Sequence, residues 1–234
     1  QVDFGMACRD RECRREGVQS ILQRSRIRAT RSWMDRRFPG WNDGSREEGI
    51  EHSREELADW LDDLVESILT TPIGCGEREL VLGSLEWQDT LREVRFDERT
   101  PFSKRKYYAP LVTGSIDLLF RFGGKYYVLD WKTNWLEDYS AQGLAVEMDK
   151  HGYDLQAAIY GAAVRRWLVS RGLAADEFGG ALYLFVRAFS RGGYAEVRDG
   201  GAPRAADGAG VLFFSGAALE ERADRYGMNR EGGA

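Results

Sequence analysis

The chain has 234 residues, 43% of them hydrophobic and 30% charged, which is typical of one globular domain with a substantial core. No run of about 18 apolar residues occurs, so we expect no membrane span. The three cysteines form no CxxC pair, which argues against a zinc site and indicates reduced thiols in a cytoplasmic protein. Because the first residue is Gln rather than Met, we expect the chain to be a piece of a longer one.

Charge is distributed unevenly along the chain. The net charge is −5, which argues weakly against a protein that coats DNA, yet residues 1–40 carry ten Arg and five acidic residues. Scattered apolar positions in this segment predict one or two helices. The segment either follows a phosphate backbone or forms a solvated helical surface, and the charge pattern leaves both interpretations open.

Helical spacing is clearest between residues 53 and 71. Ser53 and Glu56 match a capping box, and Pro72 prevents the helix from continuing. The apolar positions between them predict an amphipathic helix packed on a core. They are Leu57, Trp60, Leu61, Leu64, Val65, Ile68 and Leu69.

The remaining pattern indicates an α/β protein in a single domain over residues 1–234. We expect a mainly helical part at 1–75, a core at 76–215, and a C-terminal helix and tail at 216–234. The strand at 181–187 is expected to be buried on both faces, because its apolar run is nearly continuous. Besides the central hairpin, the predicted elements are strands at 79–82, 92–96, 181–187, 194–197 and 211–214, and helices at 140–150, 153–170 and 215–225.

The stretch from residue 111 to residue 133 predicts a β-hairpin. Two apolar, β-branched and aromatic runs flank Gly123-Gly124, a pair that favours a two-residue turn. With such a turn Asp117 and Asp130 lie opposite each other, with Cβ atoms roughly 5 Å apart. Lys132 follows Asp130 by two residues and therefore projects from the same face. Two carboxylates and one ammonium group are predicted to converge there.

Two facing carboxylates repel each other in an apolar setting unless one takes up a proton or a cation neutralises them. Lys132 supplies one positive charge, and a divalent ion would supply more. Mg²⁺ suits a site with few protein oxygens, because it keeps several waters and shares its shell with substrate phosphates. Such an ion can activate a water for attack on phosphorus. The structural alternative is a Lys–Asp bridge on a partly exposed sheet face.

The Asp130-Trp131-Lys132 triplet alone carries little information, because about one acid-x-Lys triplet is expected by chance in this composition. Its weight comes from the opposed Asp117 and from its place at the end of an apolar strand, where an unpaired charge is costly. The chain has no Walker A, GxSxG or HExxH pattern. Its two histidines argue against a histidine-rich metal site.

Three segments, in this order, resemble the PD-(D/E)XK nucleases, and among them the C-terminal nuclease domain of RecB-type helicase–nucleases. They are Gly114 to Phe120, Tyr126 to Asn134, and Tyr153 to Tyr160, and the strand from Tyr183 to Arg187 is similar as well. The resemblance extends from near the N-terminus to about residue 215. It implies a restriction-endonuclease-like fold, with a mixed central β-sheet flanked by helices.

The resemblance also implies roles for the residues of the hairpin. Asp117 and Asp130 become the metal-binding carboxylates, and the main-chain carbonyl of Trp131 becomes a further ligand. Lys132 becomes the catalytic lysine.

Further site residues are implied outside the hairpin. Glu93 resembles the upstream active-site glutamate of the family. Gln156 and Tyr160, which share a helix face because they are four residues apart, resemble the Gln-x-x-x-Tyr pair that borders the site. The upstream Gly-Thr-x-x-His motif of the family does not occur in this sequence. Residues 2–5 resemble the segment after it, so we expect the chain to begin past that motif.

The resemblance therefore implies a Mg²⁺-dependent deoxyribonuclease domain that hydrolyses phosphodiester bonds in DNA. Its expected partners are DNA, a helicase region of the same longer chain, and other subunits of a helicase–nuclease complex for double-strand break repair and recombination. Two alternatives stay open. One is a catalytically weak or inactive module of this fold that binds DNA or a partner subunit, and the other is a metal-dependent hydrolase of small phosphate esters.

Overall fold

A computed structural model describes residues 11–24, 54–99, 111–189 and 210–228. Its helices are α1 (Arg11–Arg24), α2 (Arg54–Thr70), α3 (Ala141–Lys150), α4 (Tyr153–Ser170) and α5 (Gly216–Arg225). Its strands are β1 (Pro72–Cys75), β2 (Arg78–Val81), β3 (Thr90–Arg99), β4 (Leu111–Phe122), β5 (Lys125–Lys132), β6 (Phe178–Phe185) and β7 (Val211–Ser215). Within these ranges, no helix is long and apolar enough to cross a membrane.

The central sheet has five strands in the order β3-β4-β5-β6-β7, and β1 pairs with β2 in a separate antiparallel hairpin. The strands β5 and β6 are parallel, whereas the other neighbours are antiparallel. Parallel neighbours need a long crossover, which α3 and α4 provide. The predicted α/β class with a mixed, helix-flanked sheet is confirmed.

The core has one layer on each face of the sheet. On one face α2 and the β1–β2 hairpin cover the sheet, and on the other face α3, α4 and α5 do so. The strand β6 lies between the layers and is buried almost throughout, as its apolar run predicted. Buried members of the first layer include Leu64, Ile68, Leu80, Leu118, Leu129 and Leu182; those of the second include Val128, Leu144, Tyr160, Tyr183 and Leu219.

The β4–β5 hairpin turns at Gly123 and Gly124, whose φ angles are 56° and 82°. Positive φ at both central residues is the type I′ geometry, which glycine adopts at little cost. The pairing runs from Phe122 opposite Lys125 to Leu118 opposite Leu129, which is the register predicted from a two-residue turn.

The strand β6 begins three residues before the predicted start and ends at Phe185, after which Val186–Phe189 forms a 3₁₀ turn. Two glycines explain why the sequence pattern missed the start. The β5–β6 register shifts between Tyr126 and Tyr127, opposite Gly179, and Gly180 has a φ of 145°. Glycine inside a strand commonly marks such a bulge or a close backbone approach.

Replacing Gly180 with alanine is expected to destabilise the fold by about 2–4 kcal/mol. A Cβ atom there would lie 2.1 Å from the Phe214 carbonyl oxygen, in a backbone conformation that side chains rarely adopt. Urea unfolding measures the change. Gly74→Ala is the matched control, because a Cβ there meets no atom within 4 Å. Equal midpoints for the two variants would contradict the assignment of strain to Gly180.

The helix α1 packs on α2 through ion pairs. Arg11 and Arg14 both contact Asp62, and Arg15 lies 2.8 Å from Asp59. The Arg14 and Asp62 side chains are 2% and 1% exposed, so this contact is part of the core rather than a phosphate-binding surface. The rest of the basic segment, the Ser53 cap and the predicted strand at 194–197 lie outside the described residues.

Candidate active site

Three acidic residues occupy one row across the sheet. The pairs on either side, Arg92 with Leu118 and Val94 with Ile116, place Glu93 opposite Asp117. The hairpin register places Asp130 on the other side of Asp117. Main-chain pairing of β4 with β3 skips this row and resumes beyond it, whereas pairing of β4 with β5 ends one row before it, at Leu118 opposite Leu129.

The interruption coincides with unusual backbone geometry. Glu93 has a φ of 50°, and it is the one described residue other than glycine with a positive φ. In β4, Ile116 and Leu119 pack into the same core cluster although they are three residues apart. Strict alternation would put them on opposite faces of the sheet. The alternation of side chains along β4 is therefore broken near Asp117.

Where the main-chain pairing of β4 with β5 ends, a hydrogen bond to a side chain replaces it. The Trp131 N–H donates to Asp117 Oδ2 at 2.9 Å. The rows between this point and the turn, from Leu118 opposite Leu129 to Phe122 opposite Lys125, pair through main-chain groups. The Asp117 carboxylate is thereby fixed against the main chain that carries Asp130.

Four side chains form a closed circuit on the α4 face of the sheet. Lys132 Nζ lies 2.6 Å from Asp130 Oδ2 and donates to Gln156 Oε1 at 2.9 Å. Gln156 Nε2 donates to the Tyr160 oxygen at 2.9 Å, and the Tyr160 hydroxyl lies 3.0 Å from Asp130 Oδ1. The predicted placement of Lys132 beside Asp130, and of Gln156 beside Tyr160, is confirmed. Asp130 and Lys132 are 4% and 7% exposed, so the circuit is largely shielded from water.

Negative charge accumulates around Asp117. Burial raises the pKa of its carboxyl above the usual 3.8, and the charges of Asp130 and Glu93 raise it further. The Trp131 N–H and the Lys132 ammonium oppose that rise in pKa. Burial, together with the charge of Asp130, also raises the pKa of Tyr160, so its hydroxyl stays protonated and can donate to Asp130.

The site fits a divalent cation by its chemistry. Among the described residues, no three His, Cys, Asp or Glu side chains are grouped closely enough to hold a metal ion by themselves. The donors at hand are the carboxylates of Asp117 and Asp130, while Glu93 is exposed and accepts from the Ser115 hydroxyl at 3.2 Å. Hard oxygen donors in small number suit Mg²⁺, which retains waters. A cation would also relieve the repulsion at Asp117.

Two residues that the sequence did not single out also belong to the site. The Tyr153 ring centroid lies 3.7 Å from Lys132 Nζ, and Asn134 Oδ1 lies 3.4 Å from the Tyr153 hydroxyl. One signal was present in the sequence: Tyr153 precedes Gln156 by three residues and so shares its helix face.

Comparison with known proteins shows the family of the chain. The family model of the PD-(D/E)XK nuclease superfamily matches residues 16–223. The chain is similar to the RecBCD enzyme subunit RecB of Haemophilus influenzae, with 34% identity in an alignment of 161 residues; the alignment covers 57% of this chain and 13% of that protein.

Two further relatives carry the same name. Identity to the RecBCD enzyme subunit RecB of Escherichia coli is 46% over 84 residues, 33% of this chain and 7% of that protein. For the protein of Mycolicibacterium smegmatis it is 36% over 88 residues, 32% of this chain and 8% of that protein. The matches thus cover a small part of each relative's length. The superfamily model, in contrast, matches most of the length of this chain. The chain therefore belongs to the PD-(D/E)XK nuclease superfamily.

Proposed function

We propose that this chain is a Mg²⁺-dependent deoxyribonuclease domain that hydrolyses phosphodiester bonds in DNA. The observation that carries the proposal is the convergence of Asp117, Asp130 and Lys132 at the interrupted row of the sheet. Nucleases of this superfamily generally use divalent metal ions. The choice of Mg²⁺ rests on the hard oxygen donors and on the affinity of this ion for phosphate oxygens.

In this proposal Asp117, Asp130 and the Trp131 carbonyl hold the ion. A strand residue directs its N–H and its C=O toward the same neighbouring strand, and the Trp131 N–H points at Asp117. The Trp131 carbonyl is therefore expected to face Asp117 as well. When bound, the ion would lower the pKa of a water and stabilise charge that develops on the phosphate.

The other side chains orient the reacting groups. Lys132, held by Asp130 and Gln156, presents a positive charge to the phosphate or the attacking water. Tyr160, as a protonated donor, fixes the second oxygen of Asp130. Glu93, opposite Asp117 and exposed, is placed to bind a water at the edge of the row.

The biological setting is part of the proposal. The relatives are named as RecB subunits of the RecBCD enzyme, and the chain matches only a small part of each. We propose that residues 1–234 form one RecB-like nuclease domain of a cytoplasmic helicase–nuclease. Its helicase region and partner subunits would deliver DNA for double-strand break repair and recombination.

Cleavage of end-labelled linear DNA tests the proposal. We expect cleavage with Mg²⁺ that stops on adding a chelator, and loss of cleavage in Asp130→Ala. The exposed Glu137→Ala is the matched control, with wild-type cleavage expected. Metal-independent DNA binding without cleavage would instead support an inactive module. Faster hydrolysis of a phosphomonoester than of DNA would support a small-ester hydrolase.

A further inference from the structure

The catalytic lysine of the proposed site lies against an aromatic ring. Lys132 Nζ is 3.7 Å from the Tyr153 ring centroid and 5.2 Å from that of Tyr183. A cation within about 6 Å of an aromatic face is attracted by the ring quadrupole, and the attraction strengthens when water is excluded. Lys132 is 7% exposed, so little water screens its attraction to the Tyr153 ring.

The Tyr153 ring is itself held by a closed set of contacts. Its hydroxyl donates to Asn134 Oδ1 at 3.4 Å, and Asn134 Nδ2 donates to Glu147 Oε1 at 2.8 Å. The same Glu147 oxygen lies 2.9 Å from His151 Nε2. The His151 ring stacks on Tyr153 with centroids 5.4 Å apart and planes 19° apart, which closes the set.

A second ring adds support from within the core. Tyr183 on β6 stacks with Tyr153 at a centroid distance of 6.4 Å and an interplanar angle of 22°, and it is fully buried. Tyr153 is therefore flanked by one ring from the core and one from the surface. This packing restricts the Tyr153 ring to the orientation that faces Lys132.

The two kinds of contact on Lys132 have different consequences. An ammonium group has three N–H donors, and among the described residues Asp130 and Gln156 are its hydrogen-bond partners. The face of the Tyr153 ring attracts the positive charge of Lys132, but it is not an oxygen acceptor for a conventional hydrogen bond. Within the described part of the chain, one N–H of Lys132 therefore has no oxygen acceptor, and it can be offered to a phosphate oxygen or a water while the ammonium group is held in place.

We propose that Tyr153 is a positioning residue, which holds the Lys132 ammonium group against its ring so that one N–H is directed at the scissile phosphate. The Asn134–Glu147–His151 contacts fix the ring in turn. This inference rests on the proposed function, because it assigns Tyr153 a role through Lys132.

Kinetics with two substitutions at one position test the role of the ring. Tyr153→Leu is expected to lower kcat for Mg²⁺-dependent DNA cleavage about tenfold with KM unchanged. Tyr153→Phe keeps the ring and is expected to stay within about threefold of wild type. Tyr126→Leu is the matched control, because Tyr126 packs on the same core cluster but against Trp167. It is expected to leave kcat unchanged.

A spectroscopic readout tests the contact without reference to activity. The chain has five lysines, so an NMR spectrum of protein labelled in its lysine side chains is simple to assign. The Hε protons of Lys132 are expected to shift upfield through the ring current of Tyr153, relative to the exposed Lys150. The shift should persist in Tyr153→Phe and vanish in Tyr153→Leu.

The outcomes separate this inference from the proposed function. Inactivity of the wild-type chain with every divalent metal would remove the proposed function, and the role of Tyr153 with it. An active wild type whose kcat is unchanged in Tyr153→Leu, or whose Lys132 signals show no upfield shift, would overturn the role of Tyr153 alone. A fall in kcat, together with loss of the upfield shift and rescue by phenylalanine, supports it.

Discussion

Replacing Lys132 with alanine is expected to lower kcat for DNA cleavage by about a thousandfold, with little change in KM. Lys132 is buried at the site and is held by Asp130 and Gln156, so its charge is fixed before substrate binds. Preorganised charge of this kind stabilises the transition state more than the ground state. Single-turnover cleavage of labelled DNA measures the loss.

Two controls separate chemistry from folding in this experiment. Lys132→Ala leaves Asp130 buried without its ion pair, so the variant is also expected to melt at a lower temperature. Rates are therefore compared well below that melting temperature. Lys125→Ala removes an exposed lysine at the hairpin turn and should cleave like wild type. Cleavage by Lys132→Ala at a third or more of the wild-type rate would contradict the role of Lys132.

Replacing Asp117 with asparagine is expected to abolish cleavage and to raise the melting temperature of the metal-free protein. Asparagine can still accept the Trp131 N–H through its side-chain oxygen. It removes one charge from a row in which burial, Asp130 and Glu93 disfavour the ionised carboxyl. The same change removes a metal ligand, so the melting temperature should no longer rise when Mg²⁺ is added.

The stability effect of Asp117→Asn should depend on pH. A carboxyl whose pKa is raised by folding favours the folded state while it is protonated, and this contribution is lost as the pH rises through the folded pKa. The melting temperatures of metal-free wild type and Asp117→Asn should therefore differ more near pH 7 than near pH 4. Thermal melts at both values measure this difference.

A neighbouring substitution supplies the control for Asp117→Asn. Asp97 on β3 is exposed and accepts from the Thr113 hydroxyl at 2.8 Å, so Asp97→Asn changes a carboxylate outside the site. It should retain cleavage and the Mg²⁺-dependent rise in melting temperature. A Mg²⁺-dependent rise in melting temperature that persists in Asp117→Asn would show that Asp117 is not a metal ligand.

The geometry of β5 was predictable because a two-residue turn leaves little freedom. Gly123 and Gly124 set the register, and regular alternation along β5 then put Asp130 and Lys132 on one face. The contact between Gln156 and Tyr160 follows in the same way from helical periodicity. These contacts follow from the repeat of one strand or one helix, so the sequence alone was sufficient to predict them.

Features that depend on packing between elements were not predictable. The interruption at Glu93 and Asp117 keeps the residue count equal on both strands, so no insertion marks it in the sequence. The early start of β6 is hidden by Gly179 and Gly180, which lower strand propensity. The contact of Tyr153 with Lys132 joins the start of α4 to the end of β5, and only their packing brings the two together.

In the proposed site, Asp117, Asp130 and the Trp131 carbonyl bind a divalent cation. The most direct test is a crystal of this chain soaked in Mn²⁺, an ion that accepts the same oxygen donors as Mg²⁺. We expect an anomalous difference peak about 2 Å from oxygens of both carboxylates, and we expect no such peak in Asp130→Ala. A Mn²⁺ peak elsewhere in the chain with none between Asp117 and Asp130, or the same peak in both proteins, would contradict it.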